Sequence, residues 1–198
     1  MIVEFALSLS LTLPNAGPTV TPVEFVEPIQ QILTYPPEAV LNQISGVPLP
    51  DETMQVFENR FLAEDMYFGA FAITKDFGYG YVTGSNSIEA ARDVAMQECL
   101  KHGPVCMIYA ELLPIGYVPL AQGQASLAAE AADHFNNPDA SWGNYRAMAI
   151  SEDGAYSVVW NYASPREASD AAMSDCTGYR INDLPNLRDM PCVLIPFK

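Results

Sequence analysis

Positive charge is scarce in this chain. Nine Lys and Arg residues face 24 Asp and Glu over 198 residues, for a formal net charge of −15 at pH 7. Affinity for phosphate backbones and anionic lipid needs clustered Lys and Arg, so nucleic acid and acidic membrane surfaces are excluded as partners. A basic protein partner, or solubility alone, is what such a surface serves. No stretch approaches 18 uninterrupted apolar residues, so no transmembrane helix is expected.

Reactive groups are equally sparse. Of the two histidines, His102 lies between two cysteines, and His134 ends an Ala-rich helical stretch where the helix dipole favours a cation. There is no G-x-S-x-G, P-loop, G-x-G-x-x-G or H-E-x-x-H. Carboxylates recur in pairs, Asp93 with Asp170 and Glu98 with Asp175, but a group that recurs in both halves of a chain marks structure before it marks one active site. No catalytic residue, metal or cofactor is expected.

Residues 1–50 form a distinct Pro-rich region, with Pro14, Pro18, Pro22, Pro28, Pro36, Pro37, Pro48 and Pro50. Prolines this dense rule out long helices and disfavour central strands, so an extended arm is expected. Its start, "EFALSLSLTL", puts Phe5, Leu7, Leu9 and Leu11 on one side and Ala6, Ser8 and Ser10 on the other. Period two is the signature of a half-buried strand. With Glu4 and no basic leader, the segment reads as a strand of the mature chain rather than a secretion signal.

The centre of the sequence is a duplication. Aligning each residue with the one 77 positions later gives twelve identities over 32 gapless positions, Phe68 to Cys99. Each copy reads the same way: a short strand ("GAFAIT", "RAMAIS"), a turn ("KDFG", "EDGA") and a second strand ("YGYVTG", "YSVVWN"). An Ala-rich helix beginning at Ser87 or Ser164 follows, then a last strand ("VCMIYAELL", "PCVLIPF"). Ser164-Pro-Arg-Glu167 is a capping box with Pro at the first helical position. Helical stretches "DETMQVFENRFL" and "SLAAEAADHF" precede the copies, the latter with Ser126 as candidate cap. The expected fold is α+β: two tandem strand-strand-helix-strand repeats with helices packed on antiparallel sheet, joined by pseudo-twofold packing, plus the arm. The expected units are 1–50, 51–121 and 122–198.

The four cysteines fall two per copy. Cys99 and Cys176 end the helices, while Cys106 and Cys192 stand at the final strands. Equivalent placement favours two disulfides, each worth roughly 2–4 kcal/mol in the chain-entropy model, and an oxidising compartment, periplasmic or extracellular. Buried free thiols are an alternative. So is a metal site of Cys99, His102 and Cys106, but no histidine stands near Cys176 or Cys192. Tyr79 and Tyr81 share one face of the first hairpin, where core packing or a small aromatic binding patch would both place them.

The pattern "FGAFAITKDFGYGYVTGSNSIEAARDVAMQEC…C", with "YRAMAISEDGAYSVVW" opening a second copy, resembles the bacterial domain of unknown function numbered 4189. It is similar in particular to exported two-repeat proteins of alphaproteobacteria. The resemblance spans about residues 66–198 and implies export and one disulfide per unit, but no defined activity. A 5-aminolevulinate synthase label, sometimes carried by such proteins, implies pyridoxal phosphate on a Schiff-base lysine. Lys75, Lys101 and Lys198 stand in a turn, beside a cysteine and at the C-terminus, and offer no such site.

The expected function is therefore non-enzymatic: protein binding or assembly, with Phe5, Leu7, Leu9, Leu11, Tyr79 and Tyr81 as candidate contacts. An inhibitor of a basic envelope enzyme, such as a lysozyme-type hydrolase, is the alternative, using "GYRINDLPNLRDMP" or "LKHGPV" as a plug. A hydrolase of unknown type is third. Oligomeric state is left open by the sequence.

Overall fold

The computed structural model describes residues 29–196 apart from Asp65. The candidate contacts Phe5, Leu7, Leu9 and Leu11, and most of the Pro-rich region, lie outside the described residues. Between Ile29 and Pro50, two short strands form, β1 (Gln31–Leu33) and β2 (Ala39–Gln43).

The chain is α+β, and the 77-residue offset governs it atom by atom. In the first copy β3 (Gly69–Thr74) pairs with β4 (Tyr79–Val82), matching Ala70 to Val82 and Ile73 to Tyr79. In the second, β7 (Ala147–Ile150) pairs with β8 (Tyr156–Val159), matching Ala147 to Val159 and Ile150 to Tyr156. The helices α2 (Ile88–Leu100) and α4 (Pro165–Tyr179) both begin after a serine in extended conformation. The Ser87 hydroxyl accepts from the Ala90 amide and the Ser164 hydroxyl from the Glu167 amide, satisfying one free donor of each first turn.

Each helix returns into a strand on the far side of the first: β5 (Cys106–Pro114) against β3, and β9 (Val193–Ile195) against β7. The strand orders are β2-β5-β3-β4 and β8-β7-β9. Disulfides Cys99–Cys106 and Cys176–Cys192 close both units, each with Cα atoms 6.2 Å apart. With no free cysteine among the described residues, the thiol and metal alternatives fall away.

Alternation along β3 sends small and large side chains to opposite faces. Ala70 and Ala72 meet Ala91, Ala95 and Cys99 of α2, whereas Phe71 and Ile73 face Phe57 and Phe61. The latter belong to α1 (Asp51–Val56) and the π-type helical turn Phe57–Phe61 that continues it. The second sheet is built alike. Ala147 and Ala149 meet Ala168, Ala172 and Cys176, while Met148 and Ile150 meet Ala131 and Ala132 of α3 (Ala129–Asn136). Each unit is thus a sheet between two helices, so the duplication includes the preceding helix.

Small residues are required where α2 lies on the hairpin. A Cβ at Gly80 would sit 2.2 Å from the Cys99 nitrogen and 2.6 Å from the Ala95 oxygen, both backbone atoms.

The units do not meet by a twofold axis. Residues 84–87, with Ala90 and Val94 of α2, form one side of the joint, and residues 151–154 with the segment 181–190 form the other. These are different surfaces of the repeat, so the packing is head-to-tail. Asn86 is central and buried. Its Nδ2 donates to the Ser151 carbonyl at 2.8 Å, and its Oδ1 accepts from the Ala128 amide at 2.8 Å. Its own amide donates to the Glu152 carbonyl at 2.9 Å, and its carbonyl accepts from the Ser126 hydroxyl at 2.6 Å.

Ser126 is therefore no helix cap. It lies in β6 (Gln124–Ser126), which pairs in parallel with β1. Arg188 completes the joint, with Nε 2.9 Å from Asp93 and an Nη 2.6 Å from Glu152.

Two outcomes follow. Gly80→Ala should cost about 1–3 kcal/mol through overpacking against backbone, read as a fall in the urea midpoint without a change in slope. Asn86→Ala strands the Ser151 carbonyl and the Ala128 amide, at about 1–3 kcal/mol for each buried group. Hydrogen exchange should quicken at Ala128 while the β3–β4 amides stay protected.

Candidate functional site

The strand β2 closes the first sheet on one side only. It pairs antiparallel with β5, Ala39 to Pro114 through Gln43 to Ala110, and among the described residues no strand lies along its other edge. Its sequence, Ala-Val-Leu-Asn-Gln, carries no charge and no proline, the usual guards of an open edge. Val40 is 52% exposed and Leu41 40%.

Beyond Gln43 the chain leaves strand geometry but stays on β5, since the Ile44 and Ser45 amides both donate to the Tyr109 carbonyl at 3.0 Å. Ile44 and Val47 are exposed along this continuation. A shallow groove of about 340 Å³ follows, lined by Val47, Ile73, Phe77, Val105 and Met107, with Lys75 as its one cation. Val105 is 72% exposed. The result is a ribbon of largely apolar surface from Val40 to Met107, with a charged guard only at Lys75 in the groove.

A buried charge holds the ribbon in place. Glu111 of β5 is only 2% exposed, and such a carboxylate is costly unless fully partnered. Arg92 of α2 donates from Nε to Oε1 at 2.6 Å, and Asn42 of β2 donates from Nδ2 to Oε2 at 3.0 Å. The hydrogen bond to Glu111, opposed by partial burial, raises the Arg92 guanidinium above its ordinary value. One carboxylate thereby ties the edge strand, the central strand and the helix together.

Sequence candidates fall at and away from this surface. Tyr79 and Tyr81 are half-buried, stacked on Phe71 at ring distances of 5.7 and 5.9 Å, and belong to the first core. Tyr79 also stacks on His102 at 6.2 Å. Asp93 serves the joint, and Asp170 makes an exposed ion pair with Arg166. Leu184 and Met190, within the longer cysteine loop, are buried against Ala90 and Val94, so these two residues of the loop belong to the joint between the units. Among the described residues no group of three His, Cys, Asp or Glu side chains is placed to hold a metal.

The β2 ribbon was not legible as a site, because Val40, Leu41, Ile44 and Val47 read as one more apolar piece of the arm. Their lack of Lys or Pro was the available signal. No family model matches the chain, and no curated protein or solved structure does either.

Arg92→Met should destabilise by about 3 kcal/mol, because it leaves Glu111 buried without its cation. Adding Glu111→Gln should recover most of that loss, and a double-mutant cycle by urea denaturation reads the coupling directly.

Proposed function

We propose that this chain is an exported, non-enzymatic binding protein that takes up an extended segment of a partner protein along β2. The observation that carries this reading is the open, unguarded edge: a partner strand would satisfy its outward backbone groups and cover Val40, Leu41, Ile44 and Val47. Main-chain pairing supplies affinity in such additions, and pockets for alternate side chains supply specificity. The groove beyond Val47 is one such pocket.

The flanks indicate the partner's charge. Glu38 precedes the strand, Asp51 and Glu52 follow Val47, and the whole chain carries −15. An apolar segment with basic neighbours would be steered to this edge.

Two disulfides, and the absence of any helix among the described residues long and apolar enough to cross a membrane, fit an extracellular or periplasmic protein. Within that reading the chain works in the periplasm or at the cell surface.

The test places a photo-crosslinking residue at Val40 in the oxidised protein and exposes it to the native envelope fraction. One stoichiometric partner should be captured, and Leu41→Lys should abolish capture while shifting stability by less than about 0.5 kcal/mol. Crosslinks only to a second copy would assign the edge to self-assembly. No adduct, or capture indifferent to Leu41→Lys, would overturn the reading.

A further inference from the structure

A second surface, far from β2 in the strand order, is built from aromatic rings. Beside β8 and the end of α4 lies an open cleft of about 660 Å³, lined among others by His134, Tyr156, Trp160 and Tyr179. Trp160 stacks on Trp142 at 4.9 Å with planes 12° apart, Trp142 leads to His134 at 6.4 Å, and His134 to Tyr156 at 5.8 Å. Trp160 remains 43% exposed and Tyr179 72%. Exposed Trp and Tyr at the wall of one cleft are uncommon outside binding surfaces.

The platform is held by specific geometry. The Ser141 amide donates to Asp139 Oδ1 at 2.7 Å, and the Trp142 amide to the Asp139 carbonyl at 3.0 Å. The Gly143 amide donates to Asn161 Oδ1 at 2.8 Å, an approach so close that a Cβ at position 143 would lie 2.6 Å from that oxygen. Tyr162 donates its amide to the Tyr145 carbonyl at 3.2 Å. Two bonds thus shape the Trp142 turn, and two more hold it to the end of β8.

The second copy alone carries the two tryptophans. Thr83 stands at the position equivalent to Trp160, and Asp65 at that of Trp142.

The lining selects a ligand class. It contains no Lys or Arg, which excludes phosphate, sulfate and acidic glycans. It also holds no buried anion awaiting a cation. Asp153, its buried carboxylate, already accepts from the Ala155 amide at 3.1 Å and the Ile181 amide at 2.8 Å. Burial, then a hydrogen bond to Glu130, pushes the Tyr156 hydroxyl up to about 12, so it stays protonated at physiological pH. Trp142 covers one face of Trp160, and His134 and Tyr156 follow tilted by 30° and 39°, so the rings are not gathered around one point as in a cage for a quaternary ammonium. The electron-rich face of an indole matches the polarised C–H face of a pyranose. The Ser157 hydroxyl, the Asp175 carboxylate and the Thr83 oxygen, whose proton goes to Glu64, line the space around it.

We propose that this cleft binds a neutral oligosaccharide, with pyranose rings laid on Trp160 and Tyr179. The assignment is independent of the β2 edge.

Both tryptophans of the chain, Trp142 and Trp160, stand at this platform, so intrinsic fluorescence reports on it without interference. The full oxidised chain is titrated with cellohexaose, chitohexaose and laminarihexaose, and separately with tetramethylammonium. At least one sugar should change the emission saturably, with a Kd on the order of 0.1–1 mM. Trp160→Ala and Tyr179→Ala, followed by calorimetry, should each weaken it at least ~10-fold. Tyr179→Ala removes an exposed ring and leaves the melting temperature unchanged, so its result stands if Trp160→Ala unfolds. Leu41→Lys should bind the sugar as the parent does. No response to any of the three sugars, a response to tetramethylammonium alone, or unaltered affinity in Tyr179→Ala would overturn the assignment.

Discussion

Burying the side-chain amide of Asn86 sets a demand that neither half of the molecule meets alone. A primary amide taken out of water must find both donors and acceptors nearby or cost several kcal/mol. Here the acceptor for Nδ2 is a carbonyl of the second copy's hairpin, and the donor to Oδ1 is the amide that opens α3. Each of these backbone groups is itself buried and would be stranded without Asn86. One residue of the first copy therefore fixes the start of the helix beneath the second sheet and the turn at the second sheet's end. The salt bridges of Arg188 and the packing of Leu184 and Met190 on α2 add area around that point.

The same joint explains why two units associate without closing a symmetric pair. The cysteines of the second copy are 16 residues apart and those of the first only 7. The additional chain is the segment that lies on α2, anchored at one end by Asp153 Oδ2 accepting from the Ile181 amide and near the other by Cys192. The first copy lacks this segment and has nothing to lay on a preceding unit. At the opposite end, Ala163 stands where Asn86 would be needed and Ala171 where Val94 would be. Head-to-tail contacts propagate only while both complementary ends persist, and here each end has lost its part.

What the sequence disclosed was whatever both copies share. Strand registers, serine caps and disulfide pairing follow an offset visible in twelve identities, because local backbone chemistry and a covalent link leave their marks at fixed spacing. Gly80 belongs to a legible hairpin, yet its need to be glycine depends on α2 lying 2.2 Å from a missing Cβ, a tertiary fact. Ser126 had the credentials of a cap, but its hydroxyl was worth more on the Asn86 carbonyl, and the helix starts after Ala128 instead. The strands β1 and β2 are three and five residues long, too short for periodicity to speak, and their pairing partners lie some 70 to 90 residues away. The aromatic platform gathers positions 134, 142, 156 and 160 from a helix end, a turn and a strand end. No spacing rule connects them.

Divergence between the copies then becomes informative in its own right. A duplicated fold is under the same packing constraints twice, so Ala91 and Ala168, or Cys99 and Cys176, are held alike by the same neighbours. A surface required once is free to differ. The edge strand β2 flanks only the first sheet, and the stacked tryptophans flank only the second. β2 touches the core of its unit through Ala39 and Asn42, but each feature also exposes side chains that water would rather not solvate. Exposed apolar edges and rings carry a standing risk of aggregation, and a high net negative charge offsets it by mutual repulsion between molecules. On the two readings proposed above, the acidity of the chain and its two exposed surfaces are parts of one arrangement: charge keeps copies apart while the edge and the cleft stay open to a basic or a neutral ligand.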